Sequence, residues 1–216
     1  VNSEKEKRTK IFQLTEKELV QPIFDDAFDI VAIASSAGGV TALSELLAEL
    51  PSSFPCTILI VQHLSPNYVS HLAEILARKA ELPVKPAENG EKARPGTIYV
   101  APPDQHLLIS ADRTLSLTQT ELVHFLRPSA DVLFKSIAAV YGKRAIAVVL
   151  TGTGIDGAMG VKAIHQTGGK VIVQDPQTAE FNAMPKNAIA TGSVDFILPL
   201  PEIAEKLIFF VTNPPR

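Results

Sequence analysis

Three short apolar runs, each closed by glycine, serine or proline, limit what this chain can fold into more than any other feature. Ile30-Val31-Ala32-Ile33 leads into Ser35-Ser36-Ala37-Gly38-Gly39, and Ile58-Leu59-Ile60-Val61 leads into Gln62-His63-Leu64-Ser65-Pro66. Ala147-Val148-Val149-Leu150 leads into Thr151-Gly152-Thr153-Gly154-Ile155-Asp156-Gly157. β-Branched runs of this length read as strands buried on both faces. Amphipathic patterns follow each of them: Leu43, Leu46, Leu47 and Leu50 after the first, a helix expected over 69–80 with Leu72, Ile75 and Leu76 after the second, and a crossover helix over 158–167 after the third. This alternation predicts an α/β fold, a doubly wound, mainly parallel, Rossmann-like three-layer sheet. The carboxyl ends of such strands share one edge, where ligands bind, and Ser36, His63 and Asp156 are all expected there.

Other elements fill in the pattern. A short strand is expected over 96–101, stopped by Pro102-Pro103. Leu107-Leu108-Ile109 and Leu115-Ser116-Leu117 predict an added β-hairpin, 130–141 a helix, 170–174 and 194–198 two more strands, and 202–211 a closing helix. Residues 1–27 differ: a mixed-charge run over 4–10 precedes Thr15 and Glu18, which have capping-box spacing before a short helix that Pro22 would stop. They are read as a charged arm or linker, and 28–216 as one catalytic domain. The formal net charge of −3 excludes the strongly basic field of a nucleic-acid binder. No apolar stretch approaches the roughly 20 residues of a membrane helix, and no signal-peptide pattern opens the chain, so a cytoplasmic protein is expected without membrane insertion. The single cysteine, Cys56, opens an apolar run and is expected to be buried and inert. No helix presents a wide second apolar face, so a monomer is expected.

Each of the three polar residues has two readings. Ser36 precedes a helix opened by glycine, which suits an N-cap or phosphate loop, or a nucleophile beside backbone N–H groups that favour a developing anion. His63 ends a strand at the mouth of a cleft, as a structural histidine or a general base. Asp156 stands before a helix, either as its N-cap or as the acid that orients a histidine. Separate caps would not be expected to place serine, histidine and acid at three strand ends on one side, which favours a nucleophile–base–orienter set. The glycines around Thr153 could leave backbone donors free for an oxyanion. No His or Cys spacing suggests a metal site. A phosphate- or nucleotide-binding module would want a fuller fingerprint than Gly38-Gly39 provides.

At these segments the chain resembles the catalytic domain of chemotaxis protein-glutamate methylesterases, the CheB family. The motifs are Ser36-Ala37-Gly38-Gly39, Val61-Gln62-His63, Arg127-Pro128-Ser129-Ala130-Asp131, Thr151 to Gly157, and Met184-Pro185, within roughly 28–207. The resemblance implies a serine hydrolase without cofactor or metal, with Ser36 as nucleophile, His63 as base and Asp156 as acid. The glycine-rich turns themselves suggest Thr153, Gly154 and Gly38 as oxyanion-side positions, and the resemblance implies Arg127 as a substrate-side residue. The implied substrate is a glutamate γ-methyl ester on the helical cytoplasmic part of a chemoreceptor, with glutamine deamidation as a related activity. A domain that keeps the fold and only binds receptors is the other reading. Ala34, Ala37 and Thr153 depart from the family pattern beside the triad positions without replacing one. Family members usually carry a receiver domain ahead of the esterase, and 27 residues are too few for one, so the chain is expected to be either a receiver-free member or the esterase part alone.

Overall fold

The computed structural model describes residues 28–64 and 69–213; the expected arm over 1–27, with its capping box, lies outside them. In chain order the elements are β1 (Ile30–Ser35), α1 (Gly39–Ala48), β2 (Thr57–Gln62), α2 (Leu72–Ala77), β3 (Val84–Pro86), β4 (Ile98–Val100), β5 (His106–Ile109), β6 (Leu115–Thr118), α3 (Ala130–Tyr141), β7 (Ala145–Val149), α4 (Ala158–Gln166), β8 (Lys170–Gln174), α5 (Ala183–Ile189), β9 (Phe196–Leu198) and α6 (Leu200–Thr212). Seven strands form one sheet in the order β3-β4-β2-β1-β7-β8-β9. Every pairing in it is parallel. β5 and β6 form the expected antiparallel hairpin apart from it.

β1 explains the layering. Its six residues are all buried, and their side chains alternate between two cores. Val31 and Ile33 pack with Leu43, Leu46 and Leu47 of α1 and with Ile203 and Leu207 of α6. Ile30, Ala32 and Ala34 pack with Leu133, Phe134 and Ile137 of α3 and with Val161 and Ile164 of α4. A strand apolar on both faces has no solvent side, so a helical layer must cover each. The chain leaves β1 toward α1 on one face and β7 toward α4 on the other. β1 and β7 are paired neighbours, so the sheet's topological switch point, where a crevice opens, lies between them.

Several boundaries move. The helix expected over 69–80 shrinks to Leu72–Ala77: Lys79 and Ala80 both bond Leu76 O in a tightened last turn, and Val69 is 84% exposed. The strand expected over 96–101 keeps only its central three residues, between Gly96 at φ +66° and Pro102. The strand expected from 194 begins at Phe196, because Asp195 bonds Val171 N and Lys170 Nζ with its carboxylate. The closing helix is longer than expected at its start, with Pro201 in its first turn. β3 and α5 were not expected. The first is three residues at a sheet edge ending in proline, the second a short helix with Pro185 near its start.

Candidate active site

The β1–β2 ladder ends with the pair Ser35↔Gln62, and Ser36 and His63 are the next residues of each strand. His63 N still bonds Ser35 O at 3.1 Å, and Ser36 N bonds Thr151 O at 3.1 Å across the β7 side. Ser36 therefore leaves the sheet between the exits of β2 and β7. The two serines divide cleanly. Ser35 is fully buried and donates its hydroxyl to Gln62 Oε1 at 2.7 Å, whereas Ser36 is partly exposed. Neither caps α1, whose N-cap is Gly38 at φ +73°, a left-handed conformation that suits glycine.

His63 Nε2 lies 2.8 Å from Asp156 Oδ2, with the histidine side chain 8% exposed and the aspartate fully buried. Asp156 does not cap α4, the helix that follows it; Gly157 does. Its carboxylate instead meets the start of α3. Oδ1 accepts from Ser129 Oγ at 2.7 Å and from Asp131 N at 3.1 Å, and Oδ2 accepts from Ala130 N at 2.6 Å. A carboxylate so placed satisfies helix donors that have no partner within the helix and sits at the positive end of its dipole. Burial is the largest single influence on Asp156 and pushes its pKa up. The bonds from His63, Ser129, Ala130 and Asp131 together outweigh it and hold the carboxyl below its ordinary value. Ser129 is itself fixed, since its N–H donates to Nδ1 of fully buried His106, whose Nε2 lies 3.0 Å from Glu121 O.

The third wall is the segment after β8. Thr151 Oγ1 donates to Ala37 O and accepts from Phe181 N, and Gly152 N bonds Phe181 O at 2.8 Å. A Cβ on Gly152 would overlap Met184 Sδ and lie 2.8 Å from Ser36 Cβ, so only glycine lets the β7 exit approach the serine this closely. Thr153 and Gly154 are exposed on the turn between Gly152 and Asp156, and Gly154 O accepts from Asn187 Nδ2 at 2.8 Å. Arg127 lines a hollow of about 230 Å³ together with His63, Leu64, Leu122, Phe125 and Pro128. Its guanidinium is already engaged: Nη2 and Nε bond Asp104 Oδ1 at 2.6 and 2.9 Å, and Nη1 bonds Thr120 O and Gln119 O. Hollows of about 440 and 710 Å³ open elsewhere, between α1 and α6 and near the amino ends of the strands, and His63 lines neither.

Sequence reasoning placed Ser36, His63, Asp156, Thr153 and Gly38 around one edge. It missed what Ser129, Gln62, Thr151 and His106 do there. Ser129 carried a signal, a serine ahead of a helical pattern, but its hydroxyl serves a distant aspartate and not its own helix. Among the described residues no group of three or more His, Cys, Asp or Glu side chains could hold a metal ion. No helix there is long and apolar enough to cross a membrane.

An open parallel sheet whose switch-point crevice gathers a partly exposed serine, a histidine and a buried carboxylate has the architecture and the groups of an α/β serine hydrolase. Residues 31–207 match the family described as CheB methylesterase, and the chain belongs to that family. A protein of Leptospira interrogans, provisionally named protein-glutamate methylesterase/protein-glutamine glutaminase, is 44% identical over 181 residues, covering 84% of this chain and 94% of its own. The Myxococcus xanthus protein-glutamate methylesterase/protein-glutamine glutaminase 4 is 40% identical over 82% of this chain. The chain spans about half the length of that relative, 50%. The crystal structure of the Thermotoga maritima CheB methylesterase catalytic domain superposes with a TM-score of 0.81 at 39% identity, covering 84% of this chain and 98% of that one.

Proposed function

We propose that this chain hydrolyses γ-methyl esters of glutamate side chains on the helical cytoplasmic part of chemoreceptors, with Ser36 as nucleophile, His63 as general base and Asp156 as the acid that orients the base. The observation that carries this reading is the 2.8 Å contact between His63 Nε2 and the buried Asp156 carboxylate, at the strand exit next to that of Ser36. With Nε2 held by Asp156, Nδ1 is the ring nitrogen left to take the Ser36 proton. Ser36 Oγ attacks the ester carbonyl, and backbone N–H groups around Thr153 and Gly154, with the opening of α1 at Gly38, face the developing oxyanion. The tetrahedral intermediate collapses, the imidazolium returns its proton to the methoxide, and methanol leaves. Water, deprotonated by His63, then attacks the acyl-enzyme and releases the glutamate carboxylate with Ser36 restored. Asp156 stabilises the imidazolium in both halves. The same steps with an amide as the leaving side give glutamine deamidation, the second activity in the relatives' names. The cycle consumes only ester and water.

Arg127 is spent on Asp104 and two carbonyls, so in this reading it shapes the wall of the hollow beside His63 and leaves anion binding to the backbone. The protein acts as a cytoplasmic monomer. Ser36→Ala is expected to lower methanol release from methylated receptor by about 10³-fold or more, while Ser35→Ala keeps activity within about tenfold. Ser36→Ala at wild-type rate would reject the assignment.

A further inference from the structure

We propose that Gln62 is a positioning residue that fixes Ser36 against His63; this rests on the catalytic reading above. Gln62 is the last residue of β2 and is 3% exposed. Its carboxamide makes three bonds, each to a residue at the two strand exits. Nε2 donates to Ser36 O at 2.8 Å and to His63 O at 3.0 Å, and Oε1 accepts from Ser35 Oγ at 2.7 Å. The last backbone bond between the exits of β1 and β2 runs from His63 N to Ser35 O, and beyond it the Gln62 side chain ties the Ser36 and His63 carbonyls together.

The fold makes room for this amide. A Cβ on Gly39 would overlap Gln62 Oε1 and would also lie 2.7 Å from Ser35 Cβ. The first residue of α1 is therefore bare where the carboxamide passes. Two of its three partners are main-chain carbonyls, which no substitution can make apolar, so the amide both satisfies them and ties them together. What an apolar side chain cannot do is hold the Ser36 and His63 carbonyls at a fixed separation. Small misplacement of a nucleophile against its base is costly, about 10²-fold for 1 Å.

Gln62→Glu retains the acceptor for Ser35 and, when ionised, loses both donors. At neutral pH it is expected to lower kcat by about 10²-fold with KM within about threefold, the signature of an interaction that matters in the transition state. A neutral carboxyl at this position can donate one O–H to a carbonyl and an ionised one cannot. The variant-to-wild-type ratio of kcat should therefore rise as pH falls, a dependence that simple loss of packing would not produce. Gln62→Asn keeps the carboxamide one methylene shorter, and should show the same fall in kcat without the pH-dependent ratio; it carries the kcat test if Gln62→Glu does not fold. Ser35→Ala leaves both donors in place and should keep kcat within about tenfold. Circular dichroism and thermal melts establish that each variant is folded. Folded Gln62 variants with wild-type kcat, in an enzyme that Ser36→Ala silences, would overturn this inference alone. Undiminished activity in Ser36→Ala would overturn the catalytic reading and this inference with it.

Discussion

Asp156 shows how a residue of this candidate site can stand out in the sequence while its partners stay hidden. A lone aspartate before a glycine and a helical pattern suggests an N-cap, and Asp156 does cap a helix, but the helix is α3, which begins 26 residues earlier in the chain. One carboxylate thus fills the orphan donors of α3 and holds His63, and the two jobs support each other. The motif supplied the residue, whereas the partner depended on tertiary packing that no local spacing encodes. The Ser129 hydroxyl can be tested in isolation. Ser129→Ala removes one hydrogen bond to a buried charge and is expected to cost about 1.5–3 kcal/mol of stability at neutral pH. The sign with pH follows from the depressed pKa of Asp156. Its bonds stabilise the fold fully above the ordinary carboxyl value of 3.8, and that contribution is lost as pH falls through the lower native value. Urea unfolding at pH 7 should separate wild type from variant, and the gap should narrow in acid below pH 3.8. A gap that stayed constant into strong acid would mean that Ser129 acts by packing and not on the charge.

Among the elements, the central strands and the helices of the two layers were legible because they are long or strongly periodic, and their burial enforces the pattern. The edge was not. β3 has three residues and ends in proline, and α5 is short, so neither has enough period to register. Both nonetheless serve the architecture. Met184 of α5 packs against Gly152 beside Ser36, and β3 extends the sheet beyond β4. The contact between α3 and α4 matters most for the acid, because Asp156 lies on the loop into α4 and is held by the start of α3. Gly160 sets that contact. A Cβ on it would stand 2.6 Å from Phe134 Cβ, and its N–H donates to buried Asp131 Oδ1 at 2.6 Å. Helix propensity would favour alanine there by about 1 kcal/mol, but overpacking of roughly 1–3 kcal/mol opposes it. Gly160→Ala is expected to lower the melting temperature and also kcat, since pushing the helices apart displaces Asp156 from His63. Adding Phe134→Ala should recover part of the lost activity by vacating the space, even though it removes core volume. If the double variant is no more active than Gly160→Ala, steric pressure between these helices is not what limits the site.

At the scale of the whole molecule, the two cores of the described residues lie on opposite faces of the sheet, so opening either one exposes a strand buried on both faces. Cys56 reports on that event. It lies just before β2, is fully buried in the core beneath α1, and donates its thiol to Phe28 O at 3.0 Å. Burial is the main cause pushing its pKa up to about 12 from 9.0, with the charge of Asp29 adding to it. The thiol is buried, as the sequence led one to expect, and this burial reaches the stability of the fold. A thiol held protonated when folded contributes stability that is fully present below pH 9.0 and is lost as pH rises toward about 12, because only the unfolded chain ionises freely in that range. The limiting slope is about 1.4 kcal/mol per pH unit. Tyrosines and lysines titrate in the same interval, so the measurement is a difference: denaturant unfolding of wild type and Cys56→Ala between pH 8 and pH 11. The wild type should lose stability more steeply, by an amount approaching that slope above pH 9. A thiol reagent at pH 8 gives the kinetic counterpart, with labelling that is slow in the folded protein and speeds up with denaturant in step with global unfolding. Rapid labelling of the folded protein, or parallel stability curves for the two proteins, would show that the face carrying α1 and α6 opens on its own and that the two cores do not act as one cooperative unit.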